Sequence, residues 1–301
     1  MSKVSLSIFG LQKVYGDKES LRIAKQIGCD AVDFTLDNQD YRNKNSVYAG
    51  GEAAVREYYG ALREYAESIG LEIGQTHGRG PGFKNKKEED DALVENARLD
   101  VIATAALGAR YCVIHTTTTI FMGPDAPAEL MHELNYEMFR RILPYAREHG
   151  VIVCTETFGD ATGLGCCDFF GNIDEFVKGY ERVCAEEDFA DWFKICMDTG
   201  HSNKARRYNN NPTAGEVIRR LGGNIVCLHL HDNDGLTDQH KIPMTGTIDW
   251  NDVFAALGEV GYSGNYNAEI VLTHFGKGFE VEEAAFCVKV MKNMLKEKGI
   301  A

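Results

Sequence analysis

The sequence lacks the long apolar segments that direct a chain into a membrane or out of the cell. No apolar run approaches the ~18 residues that a membrane-spanning helix requires. The opening residues, MSKVSLSIFG, hold no apolar stretch long enough for a secretion signal. The 301-residue chain also lacks a low-complexity tract or a recognisable linker. We therefore expect a globular cytoplasmic protein that makes no contact with a membrane.

The cysteines lack the spacing of a disulfide framework or of a zinc ribbon. There are nine of them, an odd number, and no pair is arranged as Cys-x-x-Cys. Cys112, Cys154, Cys196 and Cys227 fall in apolar segments that are typical of β-strands. We expect these four to be small buried residues with free thiols, as in a reducing compartment.

Basic residues are few, which argues against a nucleic-acid partner. Lys and Arg number 32 against 45 Asp and Glu, so the formal net charge is −13 at pH 7, and no basic stripe alternates with aromatic residues. Two local basic groups do follow the third and sixth predicted strands. They are Arg79, Lys84, Lys86 and Lys87, and Lys204, Arg206 and Arg207. Either group could bind a phosphate or carboxylate of a substrate, but a solvated loop is the simpler interpretation of both.

Short β-rich segments alternate with longer segments of helical period along the whole chain. The predicted strands are Val4–Phe9, Ala31–Thr35, Glu72–Thr76, Tyr111–His115, Val151–Glu156, Phe193–Asp198, Ile225–Leu230 and Tyr266–Ile270. Apolar spacing predicts a helix over 52–69 with Tyr58 and Tyr59 on its buried face. Glycines such as Gly28 and Gly150 stand just before strands, where a left-handed residue ends a helix.

Eight strand–helix units predict the α/β class, as a single (β/α)8 TIM barrel over residues 1–301. Parallel strands joined by helices need both faces of their sheet covered, and a closed barrel does this within a chain of this length. An open, doubly wound sheet is the alternative. No Gly-x-Gly-x-x-Gly follows the first strand, where a dinucleotide site would place it.

Four consecutive predicted strands end in a potential metal ligand. These residues are Glu156, Asp198, His229 and Glu269, at intervals of 42, 31 and 40 residues (156 to 198, 198 to 229, 229 to 269). Each interval is about one β/α unit, so the four side chains are expected at a similar height at the carboxyl end of the barrel. Three carboxylates crowded with one imidazole repel and desolvate one another without a cation. We therefore expect one divalent metal ion, with Mn²⁺, Mg²⁺ or Co²⁺ suiting this donor set and Zn²⁺ as an alternative.

Further imidazoles lie at the same end of the predicted barrel. His77 follows the third strand, His115 ends the fourth, His201 follows Asp198, and His240 lies in the loop DQHKIP. His231 is two residues after His229 and therefore shares its face of the strand. We expect His77, His115, His201, His231 and His240 to contact the substrate.

The combined motifs resemble the xylose isomerase-like barrel superfamily, in its sugar phosphate isomerase/epimerase branch. The resemblance covers the whole chain and rests on Glu156 in TETFGD, Asp198 and His201 in MDTGHSNKA, His229 in HLHDND, the segment DQHKIPMTGTIDW and Glu269 in NAEIV. It implies one Mn²⁺-like ion held by Glu156, Asp198, His229 and Glu269. It further implies that Glu156 and Glu269 move protons on a small carbohydrate or sugar phosphate, that His201 contacts the sugar, and that the product is an isomer or epimer. Barrels of this kind often pair, so a homo-oligomer is one expectation.

Two positions depart from the pattern of the free-ketose 3-epimerases in this superfamily. Those enzymes place an arginine six residues after the metal histidine, where this chain has Gly235. Relatives often have lysine where this chain has His231. Both departures bear on the substrate and argue against a simple ketohexose 3-epimerase.

Three other functions remain open from the sequence. The same residues could serve a lyase or dehydratase acting on a keto-sugar or inosose, because proton abstraction beside a carbonyl also begins β-elimination. An endonuclease IV-like phosphodiesterase with three zinc ions is another alternative, since its ligands are similar in type and order to residues of this chain. Those residues are His77, His115, Glu156, Asp198, His201, His229, Asp238, His240 and Glu269. A sugar-binding barrel without activity is the third.

Overall fold

Buried apolar strands joined by helices close into a barrel in this protein, whose computed structural model describes residues 3–186, 188–208 and 210–300. In this part of the chain, eight parallel strands form the barrel in the order β10-β1-β2-β3-β4-β5-β8-β9. They are β1 Val4–Ser7, β2 Ala31–Thr35, β3 Glu72–His77, β4 Tyr111–Ile114, β5 Ile152–Glu156, β8 Phe193–Asp198, β9 Ile225–His229 and β10 Tyr266–Ala268. The sequence prediction of a (β/α)8 barrel is confirmed, and all eight predicted strands are present with ends that differ by a few residues.

The barrel closes at a seam between β9 and β10. Leu230 and Ala268 form an isolated parallel bridge there. The Leu230 N–H donates to the Asn267 carbonyl at 2.9 Å, and the Glu269 N–H donates to the Leu230 carbonyl at 3.1 Å. The seam therefore lies directly beside His229 and Glu269.

Helices cover the outside of the barrel and fill its loops. They are α1 Phe9–Tyr15, α2 Asp17–Gln26, α3 Gly51–Ser68, α4 Lys87–Ala106, α5 Thr119–Met122, α6 Ala128–His149, α7 Ile173–Cys184, α8 Thr199–Ala205, α9 Ala214–Leu221, α10 Trp250–Glu259 and α11 Glu280–Glu297. Gly28 and Gly150 have φ values of 95° and 69°, so the expected left-handed turns before strands are present. In the described residues, no helix combines the length and hydropathy needed to cross a membrane.

Two details of the prediction are wrong or incomplete. Tyr58 was expected on the buried face of α3, but it is 39% exposed and its hydroxyl donates to Asp17, so only Tyr59 is buried. A short antiparallel hairpin, β6 Asp160–Ala161 with β7 Cys166–Cys167, follows β5 and had no signal in the apolar pattern. Two-residue strands are too short to produce a period.

A layer of thiols lies inside the barrel beneath the predicted metal ligands. Cys154, Cys196 and Cys227, here called the thiol layer, are at most 1% exposed. Each stands two residues before a predicted ligand on its own strand, so thiol and ligand face the same side of the sheet. The Sγ atoms of Cys154 and Cys227 are 3.7 Å apart. Burial raises the pKa of the Cys196 and Cys227 thiols well above the usual value, so both are neutral.

Candidate metal centre

The barrel brings the four predicted metal ligands together at its carboxyl end. Glu156 ends β5, Asp198 ends β8, His229 ends β9 and Glu269 directly follows β10. Each offers one ligand atom, and these four atoms all lie within 4.8 Å of one another. Glu156, Asp198 and His229 are at most 1% exposed. We call these four residues the inner cluster.

Buried polar atoms in the inner cluster lack hydrogen-bond partners within the described residues. They are both carboxylate oxygens of Glu156 and Nδ1 of His229. The Glu156 oxygens lie 3.0 Å from His115 Nε2, 3.1 Å from His201 Nδ1 and 3.2 Å from His229 Nδ1, but at angles that form no hydrogen bond. Unpaired buried polar groups are costly, and convergent oxygen and nitrogen donors suit a divalent cation. The donor set therefore fits one ion held by Glu156, Asp198, His229 and Glu269.

The imidazoles determine the charge state of Glu156. Burial acts to raise the pKa of this carboxyl, but the neighbouring rings of His229 and His115 outweigh burial and hold the pKa well below its usual range. Glu156 is therefore an ionised carboxylate, the form that binds a cation.

Asp33 orients the ring of His229. The Nε2 atom of His229 donates to Asp33 Oδ2 at 3.0 Å, and the same oxygen accepts from the amides of Gln75 and Asn267 at 3.1 and 3.3 Å. This bond keeps a proton on Nε2, so a cation that displaced the Nδ1 proton would meet the Nδ1 lone pair in the inner cluster. Asp33 was missed by sequence analysis. Its only signal was an acidic residue in the otherwise apolar strand AVDFT.

Asp198 has a second role as the N-cap of α8. Its Oδ1 atom accepts the backbone N–H of His201 at 2.6 Å, so the carboxylate ends β8 and begins the helix. His231 Nε2 lies 3.1 Å from Asp198 Oδ2. The motif MDTGH thus folds so that Asp198 and His201 reach the same end of the barrel.

A second group of ligand-type residues lies next to the first. His201, His231, Asp238 and His240 also present atoms within 4.8 Å of one another, and we call them the outer cluster. The His231 and His240 rings stack with centroids 3.8 Å apart. A Cβ atom on Gly200 would lie 1.9 Å from His231 Cε1, so this close approach requires glycine.

Asp238 balances the imidazoles of the outer cluster. Its Oδ2 atom lies 3.5 Å from both His201 Nε2 and His240 Nε2. Burial acts against the charged rings, but the nearby carboxylates raise the pKa of His201 well above its usual value, and Asp238 and Glu269 raise that of His240 to about 9. Burial also opposes ionisation of Asp238, yet His201 holds its pKa well below the usual range.

The two clusters face a pocket of about 330 Å³. Its lining includes seven of the residues considered so far, namely His77, His115, Glu156, His201, Asp238, His240 and Glu269. His115 Nε2 lies 3.2 Å from His77 Nε2, which is itself 3.8 Å from Glu156 and from Glu269. The structure therefore places four of the five predicted substrate contacts in the pocket wall. His231 is fully buried behind it and does not line the pocket.

The family description "Xylose isomerase-like TIM barrel" matches residues 21–285 of the chain. The chain belongs to this family. The match runs from within α2 to the first turns of α11, so it includes every residue of the inner and outer clusters. The resemblance that was drawn from the motifs is confirmed at the level of the family.

Two relatives share part of the sequence of this family member. The protein named "Uncharacterized protein y4fM" of Sinorhizobium fredii is 27% identical over 184 residues, which cover 61% of this chain and 53% of the relative. "Uncharacterized protein MJ1311" of Methanocaldococcus jannaschii is 35% identical over 135 residues, 45% of this chain and 42% of the relative. The chain thus spans about half the length of these curated relatives.

Solved structures with the same fold include several named for sugars. A D-tagatose 3-epimerase-like protein superposes with a TM-score of 0.73 at 19% identity, covering 99% of this chain and all of the other. D-Psicose 3-epimerase from Clostridium cellulolyticum H10, solved with D-tagatose, has a TM-score of 0.71 at 14% identity and coverages of 97% and 99%. The IolI protein with a bound zinc atom has a TM-score of 0.70 at 15% identity and coverages of 98% and 97%. At these identities the likeness shows the fold.

Proposed function

We propose that this protein is a sugar isomerase or epimerase that depends on one divalent metal ion. The observation that carries the proposal is the inner cluster, which combines buried and unpaired donor atoms with two glutamates in the pocket wall. Glu156 and Glu269 both reach the pocket, and both lie within 3.8 Å of His77 Nε2. The sugar epimerases that share the fold support carbohydrate as the substrate, and the zinc atom bound by IolI supports a metal ion.

The proposed chemistry is proton transfer at a carbon beside a carbonyl. When bound, a divalent ion polarises the carbonyl and lowers the pKa of the neighbouring C–H. One glutamate carboxylate, of Glu156 or Glu269, removes the proton, and the other returns a proton to the opposite face or to the adjacent carbon. His201, His240 and His77 are placed to bind substrate hydroxyls. Phe9 and Phe158 line the same pocket and would exclude water from one side.

Glu269→Gln tests this assignment because it removes a proton acceptor while keeping the side-chain shape. We expect the variant to lose incorporation of solvent deuterium into keto-sugars that the unmodified protein exchanges in heavy water. Glu283→Gln is a matched control, since Glu283 is a buried glutamate that pairs with His274 outside the pocket. Retained exchange in Glu269→Gln, with normal exchange in the control, would exclude Glu269 as the base.

A multi-metal phosphodiesterase is the second candidate, and the outer cluster favours it. His201, Asp238 and His240 line the same pocket as four more of the nine positions that are similar to the endonuclease IV ligands, namely His77, His115, Glu156 and Glu269. Elemental analysis of protein purified without chelators or a histidine tag separates the two candidates. About one ion per chain supports the isomerase, whereas nearly three zinc ions with cleavage of abasic DNA would support the phosphodiesterase.

We also propose that the protein works in the cytoplasm as one barrel domain. All nine cysteines are free thiols in the structure. Free thiols are typical of reducing compartments.

A further inference from the structure

The pocket wall combines carboxylates with imidazoles. Asp37, Glu156, Asp238 and Glu269 contribute four carboxylates to the lining, and within the described residues no lysine or arginine lines the pocket. Phe9 and Phe158 add apolar rings to the wall.

Arg79 is a candidate phosphate ligand by sequence, but all of its N–H donors bind groups of the protein itself. It is 8% exposed. Its Nε and Nη2 atoms donate to the two Asp100 oxygens at 2.7 and 2.9 Å. The remaining N–H groups donate to the carbonyls of Leu36, Asp37 and Gln39 at 2.6 to 3.1 Å. An arginine has five N–H donors, so none is left for a substrate.

The same contacts fix Asp37 at the pocket. Arg79 binds three carbonyls in the loop that follows β2, and Asp37, within that loop segment, lines the pocket. Asp37 itself is exposed to solvent. The buried Arg79–Asp100 pair therefore holds the backbone of Asp37 at the pocket.

Two residues of the second basic group, Lys204 and Arg207, are also bound to carboxylates of the protein. Lys204 is 2% exposed, and its Nζ atom lies 2.7 Å from Asp160 and 3.5 Å from Asp238. Arg207 binds Asp160 at 2.6 Å and the Leu236 carbonyl at 2.7 Å. Lys204 therefore lies beside the carboxylate of Asp238, and Arg207 is bound to Asp160. The interpretation of both basic groups as solvated loops is therefore wrong for Arg79 and Lys204.

We infer that the pocket selects an uncharged polyhydroxylated substrate, a free keto-sugar or keto-cyclitol, and rejects its phosphate ester, with Asp37 as a specificity-determining residue. The inference rests on the proposed function of this site. Carboxylates accept hydrogen bonds from sugar hydroxyls, whereas a phosphate dianion would face Asp37 and Asp238 with no lysine or arginine in the described pocket wall to bind it. The rings of Phe9 and Phe158 suit the C–H faces of a sugar.

The test compares binding of matched ligands to the metal-loaded protein by titration calorimetry. The probes are D-fructose and D-fructose 6-phosphate, D-ribulose and D-ribulose 5-phosphate, and an inosose with its phosphate. We expect the free member of at least one pair to bind about tenfold or more tightly than its ester. Equal or tighter binding of the esters would overturn the inference, and so would failure of every free compound to bind.

Asp37→Asn assigns the selectivity to one residue. We expect this variant to bind the free compound more weakly. The ratio of its affinity for the free compound to its affinity for the ester should fall several-fold. Asp40→Asn is the matched control, because Asp40 lies in the same loop but pairs with Arg42 and does not line the pocket. An unchanged affinity ratio in Asp37→Asn would exclude Asp37 as a specificity-determining residue. Heavy-water exchange on the bound free compound is a separate readout: binding without exchange would leave the inference standing and remove the proposed function.

Discussion

The inner and outer clusters are built from the same residue types in opposite proportions. The inner cluster has three carboxylates and one imidazole, whereas the outer cluster has three imidazoles and one carboxylate. In the outer cluster Asp238 lies between His201 and His240, with Lys204 close by, so its charge is compensated by protein groups. In the inner cluster both Glu156 oxygens are buried without an aligned donor among the described residues.

The comparison shows why proximity of ligand-type residues is a weak criterion for a metal site. Imidazoles can be neutral or charged and can pair with a carboxylate, so an outer-type group is stable without an ion. Three carboxylates in one cluster repel one another and lose hydration on burial, so they depend on the imidazoles around them or on a cation. The excess of carboxylates in the inner cluster is the reason for proposing a cation there.

The largest expected effect comes from removing a charge from the inner cluster. Glu156→Gln should abolish tight binding of a divalent ion and lower kcat by about 10²–10⁴-fold, the usual contribution of an acid–base group. Metal content after dialysis and single-substrate kinetics would measure the two effects. If Glu156→Gln keeps its bound ion and its kcat, the assignment of the ion to the inner cluster is contradicted.

Asp33→Asn should have the next largest effect because it acts through His229. An asparagine can present an amide to His229 Nε2 and leave the ring free to change its tautomer. We expect metal affinity to fall by about 10–100-fold, as for other residues that orient a metal-binding histidine. Competition with a fluorescent chelator measures affinity, and ¹⁵N chemical shifts of the ring report the tautomer. Asp168→Asn is the control, since Asp168 is a buried acid that contacts Thr118 and Thr119 instead of a cluster.

Asp238→Asn should separate the clusters functionally. Under the proposed function we expect the chain to keep about one ion with unchanged affinity, while KM rises several-fold because His201 and His240 lose their shared partner. Elemental analysis and kinetics with a free keto-sugar would record both. A fall in bound metal would mean that the outer cluster also holds an ion, and the phosphodiesterase would then be the better candidate.

Cys196→Ser should have the smallest effect and should leave both clusters intact. Serine in the thiol layer would bury a hydroxyl without a partner, which costs about 1–3 kcal/mol of stability. The urea midpoint of the metal-free protein would show this loss, and metal affinity should not change. Weaker metal binding would show that the thiol layer contributes to the position of His229, its neighbour on the adjacent strand.

Sequence predicted the fold and the convergence of the clusters because both follow from local regularities. Polar residues at the ends of apolar strands recur once per β/α unit, and a barrel brings those ends to one face. Partners across the barrel could not be predicted, because nothing in the sequence relates Asp33 to His229 or Arg79 to Asp100. The burial of Lys204 was missed for the same reason. A lysine in a predicted loop is expected to be solvated, and only the folded chain brings Asp160 next to it.

The seam between β9 and β10 gives the proposed cofactor a mechanical consequence. His229 lies on one side of this seam and Glu269 on the other, beside the backbone bonds of Leu230. An ion bound by both of these side chains would hold β10 against β9. Metal binding would therefore stabilise the closed form of the barrel. Stripping the ion should then speed hydrogen–deuterium exchange at the Leu230 and Glu269 amides before it affects β2 or β3. Cells short of the metal would hold a barrel that opens along one edge, and its turnover by proteases would follow metal supply.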